Sequence, residues 1–266
     1  KALPFADETF LWRVQYVGEL DFVVVWGTQK GLTDLDGRSP LQGAAKWGQL
    51  TAVRDMLESN LDDINGQCLE GKTALLEASS CAGATEMREG EYDYLGVVES
   101  LLEARANPDI RDHADCNPLQ NTMQSWLAGR MPSAKGLSTV EILLQKRASP
   151  DRLQSGADPP LVVAVSPSAP DNRLAILRLL LHYKSEPNSR GAVALVGAVQ
   201  SEKADAVDMA HLLLQHQADP NARSDGNKIA LEVAVKPEKS NALEMVRLLL
   251  QHRADPNIKG SDGATP

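Results

Sequence analysis

The sequence predicts an all-α solenoid, a file of helix–turn–helix units joined by hairpin turns. Three observations predict it. A seven-residue ending recurs along the chain, a helical apolar pattern precedes each copy, and a helix-opening signature follows each copy. The endings are EARANPD (103–109), QKRASPD (145–151), HYKSEPN (182–188), QHQADPN (215–221) and QHRADPN (251–257). Their prolines, 108, 150, 187, 220 and 256, are separated by 42, 37, 33 and 36 residues. A period of that size means stacked supersecondary units, each too small to bury its apolar side alone.

Before each proline, paired apolar residues recur at i, i+1, i+4 and i+5, as in Val97, Val98, Leu101 and Leu102, in Ile176, Leu177, Leu180 and Leu181, and in Met245, Val246, Leu249 and Leu250. That spacing lays a broad apolar stripe along one side of a short helix. The proline then ends the helix. After the turn comes a small residue, Pro or Ala, Leu, and a small residue three positions on. Ser39-Pro40-Leu41 with Ala44 is the clearest copy. Thr73-Ala74-Leu75 with Ala78, Pro118-Leu119 with Thr122, Pro160-Leu161 with Ala164, Ala194-Leu195 with Ala198 and Ala230-Leu231 with Ala234 follow it. Pro suits the first helical position because its missing N–H would be unpaired there anyway. The small residue lets the next unit approach closely.

These motifs resemble the ankyrin repeat family over about 230 residues, because the copies hold register. Pro108 to Leu119, Pro150 to Leu161 and Pro220 to Leu231 each span 11 positions, and only Pro187 to Leu195 is short, at 8. On that register, residues 1–33 form a degenerate capping repeat. Residues 34–66 are repeat 1, 67–110 repeat 2 with a long insertion, and 111–152 repeat 3 with a long insertion. Residues 153–189, 190–222 and 223–258 are repeats 4 to 6, and 259–266 open a seventh.

Three departures from the family pattern carry expectations. Extra residues, notably 81–94 and 124–138, are expected as loops between the two helices of a repeat, since insertions in repeat arrays map to one edge. The usual His after Pro-Leu is replaced by Gln42, Leu76, Gln120, Val162, Val196 and Glu232, and its loss is expected to loosen the turns. The glycine that closes the outer helix is replaced by Arg105, Arg147, Lys184, Gln217 and Arg253. A left-handed conformation there costs a residue with a side chain roughly 1 kcal/mol. A cation at a helix C-terminus offsets part of it. The resulting basic column reads as a solvated cap, with a docking strip for an acidic partner as the alternative.

Composition narrows the function. The 27 Lys and Arg against 36 Asp and Glu give a formal charge of −9, so neither nucleic acid nor a membrane surface is an expected partner. No apolar run is long enough for direct membrane insertion. Three scattered cysteines, Cys68, Cys81 and Cys116, fit a reducing intracellular compartment, the cytoplasm or, after removal of a presequence, an organelle. Aromatics make up only 4% of a chain that is 42% hydrophobic, so the core is built from Leu, Val and Ala.

No catalytic constellation emerges, and no cofactor or metal is expected. Gly66-Gln67-Cys68-Leu69-Glu70-Gly71-Lys72-Thr73 fits the phosphate-loop spacing literally. It falls on a hairpin turn with acidic neighbours rather than after a buried strand, so it reads as coincidence. Cys68, Cys116 and His113 fall on adjacent turns, but they are dispersed and lack a second His. No Gly-x-Ser-x-Gly elbow is present. What remains is a surface of turn tips and inner helices. Its candidate partner-binding residues are Asp36, Arg38, Glu70, Lys72, Arg111, Asp112, His113, Arg223, Asp225 and Lys228 at the tips, with Leu35 and Leu69 beside them. Lys46 and Trp47 close the first inner helix. Trp47 and Trp126 are expected outside the core as anchors, because Trp and Arg dominate binding hot spots.

The resemblance implies a non-catalytic scaffold that binds one or more proteins through the concave face of the repeats. The alternatives are a peripheral subunit of a large, organellar assembly, and the repeat portion of a longer enzyme or channel.

Overall fold

The computed structural model of the chain describes residues 33, 36–59, 63–81, 93–129, 133–151, 158–236, 241–261, 263 and 265–266. The expected capping repeat, Leu35 and most of the expected 81–94 loop lie outside the described residues.

Two compact units contain the described residues. One falls within Lys1–Ser125 and Gln145–Ala148, the other within Trp126–Leu144 and Ser149–Pro266. The first unit starts with α1 (Pro40–Lys46), α2 (Leu50–Ser59), α3 (Ala74–Cys81) and α4 (Tyr94–Glu103). Helices α1 and α3 pack side by side, as do α2 and α4, and α1–α2 and α3–α4 pack as consecutive pairs. The result is an inner layer of short helices against an outer layer of longer ones. Helix α5 (Pro118–Leu127) follows, with its last two residues assigned to the second unit, and helix α6 (Ser133–Gln145) belongs to the second unit but for Gln145.

The second unit repeats the scheme with α7 (Pro160–Val165), α8 (Arg173–His182), a short strand β1 (Ser189–Ala192), α9 (Val193–Gln200), α10 (Ala206–Gln215), α11 (Ala230–Ala234) and α12 (Ala242–Gln251). Inner helices α7, α9 and α11 pack in order, as do outer helices α8, α10 and α12, and each inner helix pairs with the outer helix that follows it. Strand β1 is the exception to helical structure among the described residues. It occupies the one turn whose Pro-to-Leu spacing is short.

The helix starts follow from the local sequence. Ser39 caps α1 with Pro40 in the first turn, and Gln42 reaches back to the Ser39 amide. Asn117 and Gln120 exchange the same pair of bonds at α5, at 2.8 and 3.0 Å. The helix ends are equally regular. The Ala106, Ser185, Ala218 and Ala254 amides bond back to the carbonyls of Leu101, Leu180, Leu213 and Leu249 at 2.9 to 3.0 Å. In each case the residue before is left-handed: Arg105, Lys184, Gln217 and Arg253 have φ of 68°, 64°, 69° and 68°. Each end is therefore a Schellman motif closed without glycine. Arg147, the remaining replacement, has φ 68° as well.

The core is Leu, Val and Ala as composition demands. Leu101 and Leu180 are fully buried, and so are the small residues Ala44, Ala78, Ala164, Ala198 and Ala234 that let inner helices close up. Two expectations are corrected. Much of residues 124–138 is helix rather than loop: α5 runs to Leu127 and α6 begins at Ser133. Leu119, Met123 and Trp126 are all buried along α5, so its apolar face carries the helix a further turn. Trp126, expected on the surface, is among the largest fully buried side chains.

Candidate functional site: the turn tips

In the first unit the hairpin turns join edge to edge through the backbone. The Leu69 amide donates to the Asp36 carbonyl at 3.1 Å, and the His113 amide donates to the Glu70 carbonyl at 3.0 Å. Each turn is also closed internally, by Cys68 N–H to Lys72 O at 3.0 Å and by Asp112 N–H to Cys116 O at 3.1 Å. Gly71 is required at its position. Its φ is +75°, and a Cβ there would lie 2.8 Å from the His113 backbone nitrogen. The ladder therefore fixes Asp36, Leu69, Glu70 and His113 in one row.

Gln42 supplies a further tie. Its side-chain amide donates to the Gly66 and Lys72 carbonyls at 2.7 and 3.0 Å, while its oxygen takes the Ser39 amide at 2.7 Å. In the second unit Glu232 accepts from the Ser261 amide at 3.1 Å. The turns are not loosened where the His is missing at these two positions. Gln carries a donor and an acceptor on one planar group, and Glu accepts, so both can join a turn to its neighbour.

The charged tip residues form layered ion pairs. The Arg38 guanidinium bonds Glu77 at 2.7 Å and also bonds Asp36. Lys72 pairs with Glu70 at 2.7 Å, and Arg111 with Asp115 at 3.1 Å. In the pairs Arg38–Asp36, Lys72–Glu70 and Arg111–Asp115 the acid is the outer partner: Asp36 is 57% exposed against 7% for Arg38, Glu70 51% against 26% for Lys72, and Asp115 38% against 15% for Arg111. Arg38, expected at the surface, is thus buried. Its fully buried partner Glu77 draws it inward, because a buried carboxylate needs a paired cation. Burial opposes the Arg38 charge, but the Glu77 and Asp36 carboxylates outweigh it and hold the guanidinium above its ordinary range. Lys72 lowers the Glu70 pKa by hydrogen bond and charge. Lys72 itself, though opposed by its own burial, is held above its ordinary range by Glu70 and Glu77. Among these groups Leu69 stands 70% exposed.

The second unit builds its tips differently. The Ala192 amide of β1 donates to the Arg223 carbonyl at 3.2 Å. Gly191, with φ +62°, leaves no room for a Cβ against that same carbonyl. Arg190 bridges Asp158 at 2.8 Å and Asp225 at 2.6 Å, again with the acids outermost. Arg223 donates to the carbonyls of Asn227 at 3.0 Å and Lys259 at 2.7 Å. Lys228 is half-buried beside them. Arg190 was missed by the sequence reading; the short Pro187–Leu195 spacing was the signal that this turn differs.

The other expected residues sit apart from these rows. Lys46 lies over the Trp47 ring at 5.8 Å, both half-buried at the end of α1. Trp126 donates through Nε1 to Asn172 at 3.0 Å. Beside Asn172 the fully buried Arg173 bonds Asp205 through Nε at 2.9 Å and Ser201 at 2.9 Å, and Asp205 is held below the usual carboxylate range by that hydrogen bond. No sequence motif marked this cluster. Lys72 of the phosphate-loop-like segment is occupied by Glu70, and Thr73 caps the Leu76 amide at 3.2 Å. Burial and the Asp112 charge raise the Cys116 thiol, which keeps it protonated at neutral pH. Among the described residues, no three His, Cys, Asp or Glu stand where they could hold a metal ion together. Nor, among them, is any helix long and apolar enough to cross a membrane.

Residues 161–260 match the family model described as ankyrin repeats, in three copies. Those residues are ankyrin repeats. The fold of the chain is likewise that of solved ankyrin-repeat structures. An ankyrin repeat domain from Acinetobacter baumannii is 20% identical with a TM-score of 0.63, covering 81% of this chain and 98% of that one. The ankyrin repeat domain of Bcl-3, a member of the IkappaB family, is 24% identical with a TM-score of 0.60, covering 87% and 93%. A chain in the structure of a Bdellovibrio bacteriovorus predatory endopeptidase in complex with an immunity protein, which is one or the other of the two proteins, is 19% identical with a TM-score of 0.56, covering 83% and 99%. No curated protein sequence matches the chain. Ankyrin repeats generally mediate protein–protein interaction.

Proposed function

We propose that the chain is a non-catalytic scaffold that takes a partner protein on its turn tips and the adjoining inner helices. The carrying observation is Leu69, 70% exposed in a row whose backbone is fixed on both sides by neighbouring turns. A rigid, exposed apolar side chain ringed by charge is what an interface anchor requires. Because the acids are the outer members of the tip ion pairs, a partner face rich in Lys or Arg complements the row best. A non-catalytic role is supported by the tip pKa shifts. Glu70 moves down and Lys72 up, both away from the range in which a general acid or base works.

The test is affinity capture with the purified chain and three variants: Leu69→Asp, Glu70→Lys, and Glu99→Lys on the exposed side of α4. The tip variants are expected to lower recovery of the co-purifying protein at least about tenfold, the loss of one hot-spot contact. The α4 variant is expected to leave it unchanged. Equal recovery by all four proteins would remove the tips from the interface.

A further inference from the structure

The residue after Pro187 and the residue after Pro220 are junctions between neighbouring turns. Asn188 donates through its amide to the Gln217 carbonyl at 3.0 Å and accepts the Asp219 amide at 2.9 Å. Asn221 repeats both bonds one unit on, to the Arg253 carbonyl at 3.0 Å and from the Asp255 amide at 2.7 Å. Each Asn therefore offers one donor, to the left-handed residue three positions before the next proline, and one acceptor, to the residue immediately before that proline.

Asp151 holds the same register position, and its counterparts are Lys184 and Glu186. Half of the pattern is made: Asp151 Oδ2 accepts the Glu186 amide at 2.8 Å. The other half is not. Lys184 is left-handed like Gln217 and Arg253, with φ 64°, so its carbonyl stands where an Asn would donate. A carboxylate has no proton to donate. Asp151 Oδ1 and the Ser185 hydroxyl are both buried; the hydroxyl lies close enough to favour the carboxylate charge but is not aligned to close a hydrogen bond with it, and no other group reaches Oδ1.

We propose that Asp151 is a proton-sensitive clasp between the turns of repeats 3 and 4, closed when a solvent proton on Oδ1 is donated to the Lys184 carbonyl. The electrostatics agree. Burial raises the Asp151 pKa, the Glu186 amide and Ser185 hydroxyl oppose that in part, and the Glu186 carboxylate adds to it. Glu186 is the charge acting on Asp151 among the described residues, and it is itself held by the Asn188 amide at 3.2 Å. The Lys184 ammonium is exposed, and Arg190 is engaged by Asp158 and Asp225. Because the folded pKa lies above the unfolded one, the clasp contributes fully below the unfolded value of about 4 and is lost as pH rises through the folded value.

The test compares the wild-type chain with Asp151→Asn, which installs the donor permanently. The melting temperature of Asp151→Asn is expected to exceed wild type by about 2 to 4 °C at pH 7.5, and the gap is expected to close near pH 4. In the wild type, the Asp151 carboxyl carbon followed by NMR is expected to titrate above the ordinary aspartate value. Asp151→Ala, which loses both halves of the junction, is expected to melt below Asp151→Asn at every pH. A melting temperature for Asp151→Asn at or below wild type at pH 7.5 would overturn the proposal. So would a gap that does not change with pH, or a carboxyl titrating at or below the ordinary value.

Discussion

Gln42 shows how much of this fold is decided by single side chains. It is almost fully buried and satisfies the Ser39 amide together with the Gly66 and Lys72 carbonyls. Gln42→Ala strips partners from buried backbone groups, and the cost is about 1–3 kcal/mol. Urea denaturation followed by the fluorescence of nearby Trp47 measures it; a change within about 0.5 kcal/mol, the size of an ordinary surface substitution, would deny Gln42 this role. The sequence showed that His was missing but not that Gln takes its place. That substitution is legible only when residues are compared by donors and acceptors rather than by identity. The left-handed positions were legible. Arg105, Arg147, Lys184, Gln217 and Arg253 stand in the slot where the repeat wants glycine, and all have φ between 64° and 69°. In the second unit the strain at Gln217 and Arg253 is offset, since their carbonyls are fixed by Asn188 and Asn221.

Among the elements, the outer helices of the second unit are joined at their starts by a buried polar contact rather than by apolar packing alone. Arg173 opens α8 and binds Asp205, the residue before α10, and Ser201. Arg173→Ala strands these groups and leaves a void where a large side chain was fully buried, at a cost of about 3–5 kcal/mol. The contact also fixes an acid dependence. The Asp205 pKa is lowered in the folded chain, so its contribution is present above the unfolded value of about 4 and is lost as pH falls through the folded one. Denaturation curves at pH 7 and pH 3 should therefore show a smaller pH effect in Asp205→Asn than in wild type; an equal effect would place the acid sensitivity elsewhere. Nothing in the local pattern pointed to Arg173, because a buried arginine reads in sequence like any exposed one. Helix α5 was misjudged for a related reason. A lone tryptophan counts equally as anchor or core, and its complete burial with Nε1 bonded to Asn172 separates the two.

At the scale of the whole chain, each repeat within a unit is held by its neighbours in that unit. Inner helix packs on inner helix, outer on outer, and the turn tips are laced by backbone bonds within each unit. This periodic part was legible because a repeat states its architecture many times over. The tip surface was legible only as a region. Which side chains face outward depends on ion pairs between residues as far apart as Arg38 and Glu77, and no single repeat records those. At the end of the second unit Leu243 and Leu250 on α12 are exposed although their helix is otherwise buried on its inner face. Stability in such an array is graded and local rather than uniform. Hydrogen exchange on wild type and Leu101→Ala tests this most directly. Removing the fully buried Leu101 side chain is expected to speed exchange in α4 and in its packing partners α2 and α3, and to leave α10, α11 and α12 unchanged. An equal loss of protection in every helix would mean one cooperative core and would contradict the nearest-neighbour account.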